Sequence, residues 1–418
     1  MGAISIVGII FSAALGTPLF IIMGLSALVA FYLSDTNLAA VSIEIYKIAG
    51  QATILTIPLF TFAGYMMAKS KSPQRLLRLT EAYLGWLPGG VAIVSLVVCA
   101  FFTAFTGASG VTIIALGGLL YPILKEEGYT EKFTLGLLTT SGSLGLLFPP
   151  SLPIILYGLV AKVDIDKLFK AGIIPGVLLI AILSIWAIKN GNFKNNKKVF
   201  SIEECIAATK GAFWEALLPV GVLVGIYGGF VTTTEAAALT ASYVTLIECF
   251  IYKDVDVFKD LPEVIIESMT LVGGILLILC CALGFTNYLV DEEIPMHILA
   301  FMKTFLTNKY SFLLFLNIFL LIVGSLMDIF SAIIVVVPLI LPISKEFGVD
   351  PIHLAIIFLT NLEIGYLTPP VGINLFISSF RFKKPITELY RASFPFLILL
   401  LIALFLITYI PSLSLFLV

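Results

Sequence analysis

Apolar residues fill this chain in long blocks, and short clusters of charge separate them. A block covers residues 3–33, interrupted at Gly16-Thr17-Pro18, as one tilted helix or two packed halves. The next runs from 47 to 69 and ends in Lys69, Lys71, Arg75 and Arg78. From 73 to 88 charges line one helical face and Leu, Tyr and Trp the other, which predicts a helix lying in the interface. Residues 91–127 hold two apolar runs around a small-residue patch, Thr106 to Gly110, which reads as a re-entrant hairpin. Residues 130–163 read as a crossing broken at Phe148-Pro149-Pro150. A span at 168–188 leads to a Lys- and Asn-rich stretch ending at Lys198. Ser201 with Glu204 predicts a capping box that opens an amphipathic helix through Trp214. Further spans fall at 213–231, 235–252 and 265–290, then a second hairpin at 309–345, a second broken helix at 350–380, and a last span at 391–417.

The second hairpin and broken helix repeat the first. At a shift of 220 positions, without a gap, Pro122 meets Pro342, Lys125-Glu126 meets Lys345-Glu346, and Gly128 meets Gly348. Gly145 meets Gly365, and Pro149-Pro150 meets Pro369-Pro370. Residues 119–150 and 339–370 share 11 identities in 32 positions. The repeat extends outward: Gly64 aligns with Gly284 at the same shift, and 164–171 aligns with 385–392 at 221. With three full crossings per copy, the copies are inverted across the membrane. An inverted repeat with interrupted helices at matching positions points to a secondary transporter with a midplane site.

The fold class expected is therefore an all-α polytopic membrane protein. It divides into N-terminal scaffold helices (1–46), repeat 1 (47–199), scaffold helices with an interfacial arm (200–264) and repeat 2 (265–418). Composition agrees: 60% of residues are hydrophobic and 12% charged, half the usual charged share of a soluble domain. About 17 of the 24 Lys and Arg fall on one side in this scheme, which makes it the cytoplasmic side. On that basis 125–128 and 381–384 face the cytoplasm, whereas 291–293 and 345–348 face outward. No basic n-region precedes the first apolar run, so no removable signal peptide is expected. The five cysteines show no paired or metal-ligating spacing and read as small apolar fillers, and His297 and His353 lie far apart.

Candidate chemistry sits at the hairpin tips and helix breaks. Consecutive prolines lack N–H groups, so carbonyls one turn before them are expected to be orphaned in a medium without water. A desolvated monovalent cation is a suitable partner, because carbonyl oxygens replace its water shell and half-helix C-termini add negative dipole ends. One candidate Na⁺ set is Thr106, Gly107, Ser109, Gly145, Phe148 and Pro150. The other is Ser325, Asp328, Gly365, Thr368 and Pro370, with Ser331 beside it on the tip. Asp328 stands out, since an acid at bilayer depth is costly and marks a functional site by default. Its counterpart in the first copy is Ala108. A substrate anion would use Thr106, Ser109, Ser151, Asp328, Thr368 and Asn374. Thr234 and Glu235 are further candidates, although helix capping explains Glu235. Glu363 is a weaker candidate acid. No basic residue sits clearly at depth, so an anion would rest on helix N-termini, hydroxyls and bound cations. The chain has no Walker A, HExxH, GxSxG or kinase motif, which argues against ATP drive, and an enzyme is not expected because Asp328 and Glu363 are the only plausible acids at depth and nothing in their helices juxtaposes them.

At GYLTPPVGINLF (365–376), GSLMD (324–328), YGGFVTTTEAAAL (227–239) and GSLGLLFPPSLP (142–153) the chain resembles the large membrane subunit of the tripartite ATP-independent periplasmic (TRAP) transporters, in the ion transporter superfamily. The resemblance spans essentially the whole chain. Thr233 departs from it, standing where a Pro is expected, and the first tip is poorer in serine. The resemblance implies a multi-pass protein of the bacterial inner membrane in which a mobile unit of hairpins and broken helices moves as an elevator against a scaffold. It implies a Na⁺ gradient as drive, a small four-helix membrane subunit and an extracytoplasmic substrate-binding protein as partners. The substrate implied is a small organic anion bearing a carboxylate, such as a C4-dicarboxylate or a sugar acid. A stand-alone Na⁺/dicarboxylate symporter of the same superfamily is the alternative.

Overall fold

The computed structural model describes residues 17–33, 50–191, 200–306 and 308–418, with scattered positions earlier in the chain. Most of the run 3–16 and the Lys-rich stretch 192–199 lie outside the described residues. Within them the secondary structure is helical, with no strand. Helix α1 (Leu19–Leu33) starts directly after Pro18. A 3₁₀ turn (Ala52–Leu55) leads into α2 (Thr56–Lys69) and the interfacial α3 (Ser72–Leu84). Hairpin 1 is α4 (Gly90–Thr106) and α5 (Ser109–Glu126). The first broken helix is α6 (Glu131–Ser141), a 3₁₀ turn (Leu144–Leu147) and α7 (Leu152–Ala161). Then come α8 (Ile165–Asn190), α9 (Ile202–Gly211), α10 (Phe213–Tyr227) and α11 (Thr233–Leu246), which ends in a π turn (Ile247–Ile251). The 32-residue α12 (Asp260–Asp291) runs unbroken through residue 265 and leads to α13 (Ile294–Lys303). Hairpin 2 is α14 (Lys309–Leu326) and α15 (Ile329–Glu346). The second broken helix is α16 (Pro351–Gly365) and α17 (Ile373–Phe382), followed by α18 (Ile386–Tyr409) and α19 (Ser412–Leu415). Among the described residues eight helices are long and apolar enough to cross a membrane, or ten if each bent pair counts as one.

Three expectations are corrected. The helix opening at Ser201 stops at Gly211, not Trp214, and α9 and α10 bend by 75°. Only half of its capping box forms: Glu204 N donates to the Ser201 hydroxyl, while the Glu204 carboxylate pairs with Arg78 at 2.9 Å. The last span ends at Tyr409 rather than 417, because Pro411 cannot continue the helix.

The repeat holds at the level of the backbone. Ser109–Glu126 and Ile329–Glu346 match end to end at 220. Gly128 and Gly348 both take positive φ after hairpin arms, and Lys162 and Lys383 both take positive φ after half-helices. Packing crosses between the copies: α5 lies on α17, α15 on α7, α6 on α18 and α16 on α8. Helices α1, α2, α11 and α12 pack on one another beside this unit.

Polar contacts sort the loops to two ends. At one end Lys69 pairs with Glu263 at 2.8 Å, and Lys384 pairs with Glu131. Arg75 gathers Glu215, Glu248 and Asp254 there, holding α3 against α10 and the π turn. At the other end the Tyr157 hydroxyl donates to the Pro351 carbonyl at 3.3 Å. Thr233 donates to Asp166 at 3.0 Å there, and Lys309 to the Gly348 carbonyl at 2.8 Å. Helix α8 connects the ends. Residues 128–131 and their counterparts 348–351 thus lie at opposite ends, as inverted copies require.

Candidate transport site

Each candidate site forms where a helix break is pressed against the backbone of a hairpin arm. Gly145 makes this possible in repeat 1: a Cβ there would lie 2.1 Å from the Ala100 carbonyl oxygen and 2.5 Å from the Ala104 nitrogen. In repeat 2 a Cβ on Gly365 would lie 2.5 Å from the Gly324 carbonyl carbon. Gly324 is the counterpart of Ala104 at 220. Only glycine permits so close a backbone approach. Tip 1 in turn rests on α2 at Gly64, whose Cβ would meet the Phe105 carbonyl oxygen at 2.4 Å.

The expected orphan carbonyls are paired. In repeat 1 the Gly145 carbonyl accepts from Phe148 N at 3.0 Å, and the Leu146 carbonyl accepts from the Ser151 hydroxyl. In repeat 2 the Gly365 carbonyl accepts from Thr368 N at 2.9 Å and the Tyr366 carbonyl from Asn374 N at 3.2 Å. The Thr368 hydroxyl donates to the Ile364 carbonyl at 3.0 Å. The prolines remove helical donors, and the chain tightens into 3₁₀-type turns that supply others. Each carbonyl oxygen has a second lone pair, so acceptor capacity remains. Both donor sets are oxygen-only, as a hard cation requires.

The tips differ. Thr103, on α4, donates to the Gly142 carbonyl at 2.8 Å and shares a hydrogen bond with Thr112, at 2.6 Å, tying hairpin 1 to α6. Thr106, Gly107 and Ser109 are buried, and Leu152 lies where a Cβ on Gly107 would go. At tip 2, Asp328 is half-buried and caps α15, accepting from Ser331 N at 2.9 Å and from the Ser331 hydroxyl. The Tyr366 hydroxyl accepts from Ile329 N at 2.7 Å, and the Ser325 carbonyl accepts from Gly372 N at 3.2 Å. Ser325 is buried, whereas Pro369 and Pro370 are exposed.

Asn374 begins α17, is fully buried, and donates to the Thr139 carbonyl of repeat 1 at 3.3 Å. It therefore joins the two repeats. Thr234 and Glu235 stand apart from both sites. Glu235 closes a capping box with Thr232, and the Thr234 hydroxyl reaches the Ala52 carbonyl at 3.4 Å. Glu363 is fully buried, with both carboxyl oxygens unpartnered.

Sequence reasoning missed Thr103, Thr112 and Tyr366. It also missed a buried file in repeat 2, where Asn361 donates to Asn317 at 2.8 Å and Asn317 to Thr408 at 3.1 Å. The signal available was asymmetry: positions 220 or 221 before Tyr366, Asn317 and Thr408 hold Leu146, Val97 and Ala187.

Comparison with known proteins follows the same lines. Residues 6–413 match the family model of the tripartite ATP-independent periplasmic transporter, DctM component. The chain is 36% identical to the C4-dicarboxylate TRAP transporter large permease protein of Pseudomonas aeruginosa, across 94% of this chain and 92% of that one. It is also 36% identical to the isethionate TRAP transporter permease protein of Oleidesulfovibrio alaskensis, covering 96% of this chain but only 64% of that longer relative. A crystal structure of the Alcanivorax borkumensis YdaH transporter is similar in fold, with a TM-score of 0.62 at 13% identity, over 88% of this chain and 86% of that one. Helical architecture, inverted repeat and near full-length match agree, and the chain belongs to the DctM-component family of large TRAP transporter permeases, multi-pass proteins of the bacterial inner membrane.

Proposed function

We propose that this chain is the permease subunit of a Na⁺-coupled, binding-protein-dependent secondary transporter. It imports a small organic anion such as a C4-dicarboxylate or a sugar acid. The observation that carries the reading is the pair of glycine-closed junctions, Gly145 on α4 and Gly365 on α14, each joining a hairpin tip to a helix break. The C4-dicarboxylate relatives support the substrate class. The set Thr106, Gly107, Ser109, Gly145, Phe148 and Pro150 would hold one Na⁺. Ser325, Asp328, Gly365, Thr368 and Pro370 would hold another. A bound cation supplies positive charge for the substrate carboxylate at the midplane, where this chain offers hydroxyls, Asn374 and the N-terminus of α17. The hairpins and broken helices of the two repeats cross-pack into one body, so movement of that body against α1, α2, α11 and α12 carries the site across, as in an elevator. A small four-helix membrane subunit enlarges the static part, and an extracytoplasmic binding protein delivers the anion. No ATP is consumed.

The test is uptake of a C4-dicarboxylate into proteoliposomes under an inward Na⁺ gradient. Uptake is expected only with the chain, the small subunit and the binding protein together. Robust uptake by the chain alone would favour a stand-alone symporter instead.

A further inference from the structure

Helix α16 carries a chain of hydrogen-bonded side chains that the proposed transport sites do not use. It lies against α14, α18 and α19. Asn361 donates to Asn317 Oδ1 at 2.8 Å, and Asn317 donates to the Thr408 hydroxyl at 3.1 Å. His353 meets the Thr408 carbonyl through Nε2 at 3.2 Å and the Ser414 hydroxyl through Nδ1 at 3.2 Å. A carbonyl only accepts, so Nε2 donates there. All five side chains are buried. The chain thus joins hairpin 2, the second broken helix and the last helices of repeat 2.

Stability alone does not account for it. Asn361 Oδ1 has no partner, although its Nδ2 is shared between Asn317 and the Ile357 carbonyl, at 2.8 Å each. Apolar side chains at both positions would avoid that cost, and replacing both partners of a buried polar pair by apolar groups is often neutral or stabilising. Repeat 1 is built nearer to that way. The counterparts of Asn317 and Asn361 at 220 are Val97 and Ser141. The Ser141 hydroxyl donates to the Leu138 carbonyl at 3.2 Å, and its link to α4 is the weakly bonding Cys99 thiol. Phe133 and Ala187 stand in place of His353 and Thr408. The strong tie of repeat 1 sits closer to its tip, where Thr103 reaches Gly142. The counterpart of Thr103 is Val323, which has no hydroxyl to offer.

What the amide pair fixes is register. Apolar helices in lipid gain no hydrophobic preference for one sliding position over another, and polar pairs specify it instead. Gly324 lies about two turns beyond Asn317, and Gly365 about one turn beyond Asn361. A Cβ on Gly324 would lie 3.0 Å from Leu362 Cα and 3.2 Å from Gly365 Cα. So close a contact tolerates little slip, and it is flanked by Ser325 and Asp328 on one side and by Thr368 and Pro370 on the other. A binding constellation has to be held to about 0.5 Å by the groups around it. We propose that Asn317 and Asn361 are positioning residues for the candidate cation site at tip 2. They set the register in which the oxygen donors of hairpin 2 and of the α16 break face one another. The proposal rests on the transport reading above. Neither residue needs to touch the ion.

The experiment uses the complete transporter in proteoliposomes. C4-dicarboxylate uptake is followed against Na⁺ concentration, beside detergent melting of the same variants in Na⁺ and in K⁺. The double variant Asn317→Val with Asn361→Leu replaces both partners by apolar side chains. It is expected to melt close to wild type in K⁺ and to keep the maximal uptake rate. Its Na⁺ concentration for half-maximal uptake is expected to rise about 10–100-fold, the effect that losing supporting partners has at metal sites. Asn361→Ser, which installs the residue of repeat 1, is expected to shift the Na⁺ curve in the same direction by less. An unchanged Na⁺ curve in the double variant, with wild type Na⁺-dependent, would overturn the positioning role and leave the transport reading intact. Failure of the double variant to fold, with an unchanged Na⁺ curve in Asn361→Ser, would also overturn it and leave the pair as a staple of the fold. Wild-type uptake equal in K⁺ would remove the transport reading and the proposal with it.

Discussion

The two copies of the repeat share a backbone and differ in what they do with polar groups. In repeat 1 the tip and break are sealed: Thr103 reaches Gly142, Ser151 reaches Leu146, and Leu152 covers Gly107. In repeat 2 the break is open at Pro369 and Pro370, an acid caps the tip, and Tyr366 ties tip to break. Glycine placement is common to both because the close backbone approach is a requirement of the fold. Asp328, Tyr366 and Asn374 occur once because a symmetric fold does not need them. Features present in both copies are therefore read as architecture, and features present in one as chemistry.

The largest effect expected from breaking this difference is at Asp328. Asp328→Ala and Asp328→Asn are both expected to abolish uptake; the alanine also removes the α15 cap, at about 0.5–2 kcal/mol, whereas the asparagine keeps an acceptor for Ser331 N and is expected to leave the detergent melting temperature near that of wild type. Wild-type uptake in Asp328→Ala, or collapse of folding with it, would return this residue to a capping role. Next come the shared glycines. Gly145→Ala and Gly365→Ala drive a methyl into backbone atoms and are each expected to cost about 1–3 kcal/mol through overpacking. Similar losses in melting temperature at both sites are expected, and a loss at only one would break the symmetry argument.

Smaller changes sharpen the contrast. Tyr366→Phe orphans the buried Ile329 N–H and is expected to destabilise tip 2 by about 1–3 kcal/mol. It is expected to raise the Na⁺ concentration for half-maximal uptake more than it lowers maximal rate. An unchanged Na⁺ dependence would separate the tie from the candidate cation site. Smallest is Ser151→Ala, which removes one neutral hydrogen bond of about 1 kcal/mol and leaves the Leu146 carbonyl unpaired. A partial loss of uptake, with Thr106→Ala behaving alike, is expected, and complete loss in either would exceed what one hydroxyl supplies.

Much of the architecture was legible in the sequence. The 220-residue shift located both hairpins and both breaks to within a few residues, because Pro and Gly act locally on the backbone. The grouping of loops followed from Lys and Arg placement, and the ion pair of Lys384 with Glu131 puts two of the loops so grouped at one end of the molecule. Long-range partners were not legible. Nothing around Tyr366 announces that its hydroxyl takes a hydrogen bond from residue 329, and nothing around Arg75 announces Glu215 and Glu248. The orphan carbonyls expected before the prolines failed for a related reason. Ser151 and the 3₁₀-type turns provide donors that helix periodicity does not anticipate.

The most direct test of the central claim, two unequal cation-binding junctions in one symmetric body, is the initial rate of C4-dicarboxylate uptake against Na⁺ concentration. It is measured in proteoliposomes holding the chain and its small membrane subunit, with binding protein outside, for wild type and Asp328→Ala. Steep Na⁺ dependence in wild type, no uptake when K⁺ replaces Na⁺, and loss of uptake in Asp328→Ala at every Na⁺ concentration are the expected results. Equal uptake in K⁺, or identical Na⁺ curves for wild type and Asp328→Ala, would contradict it.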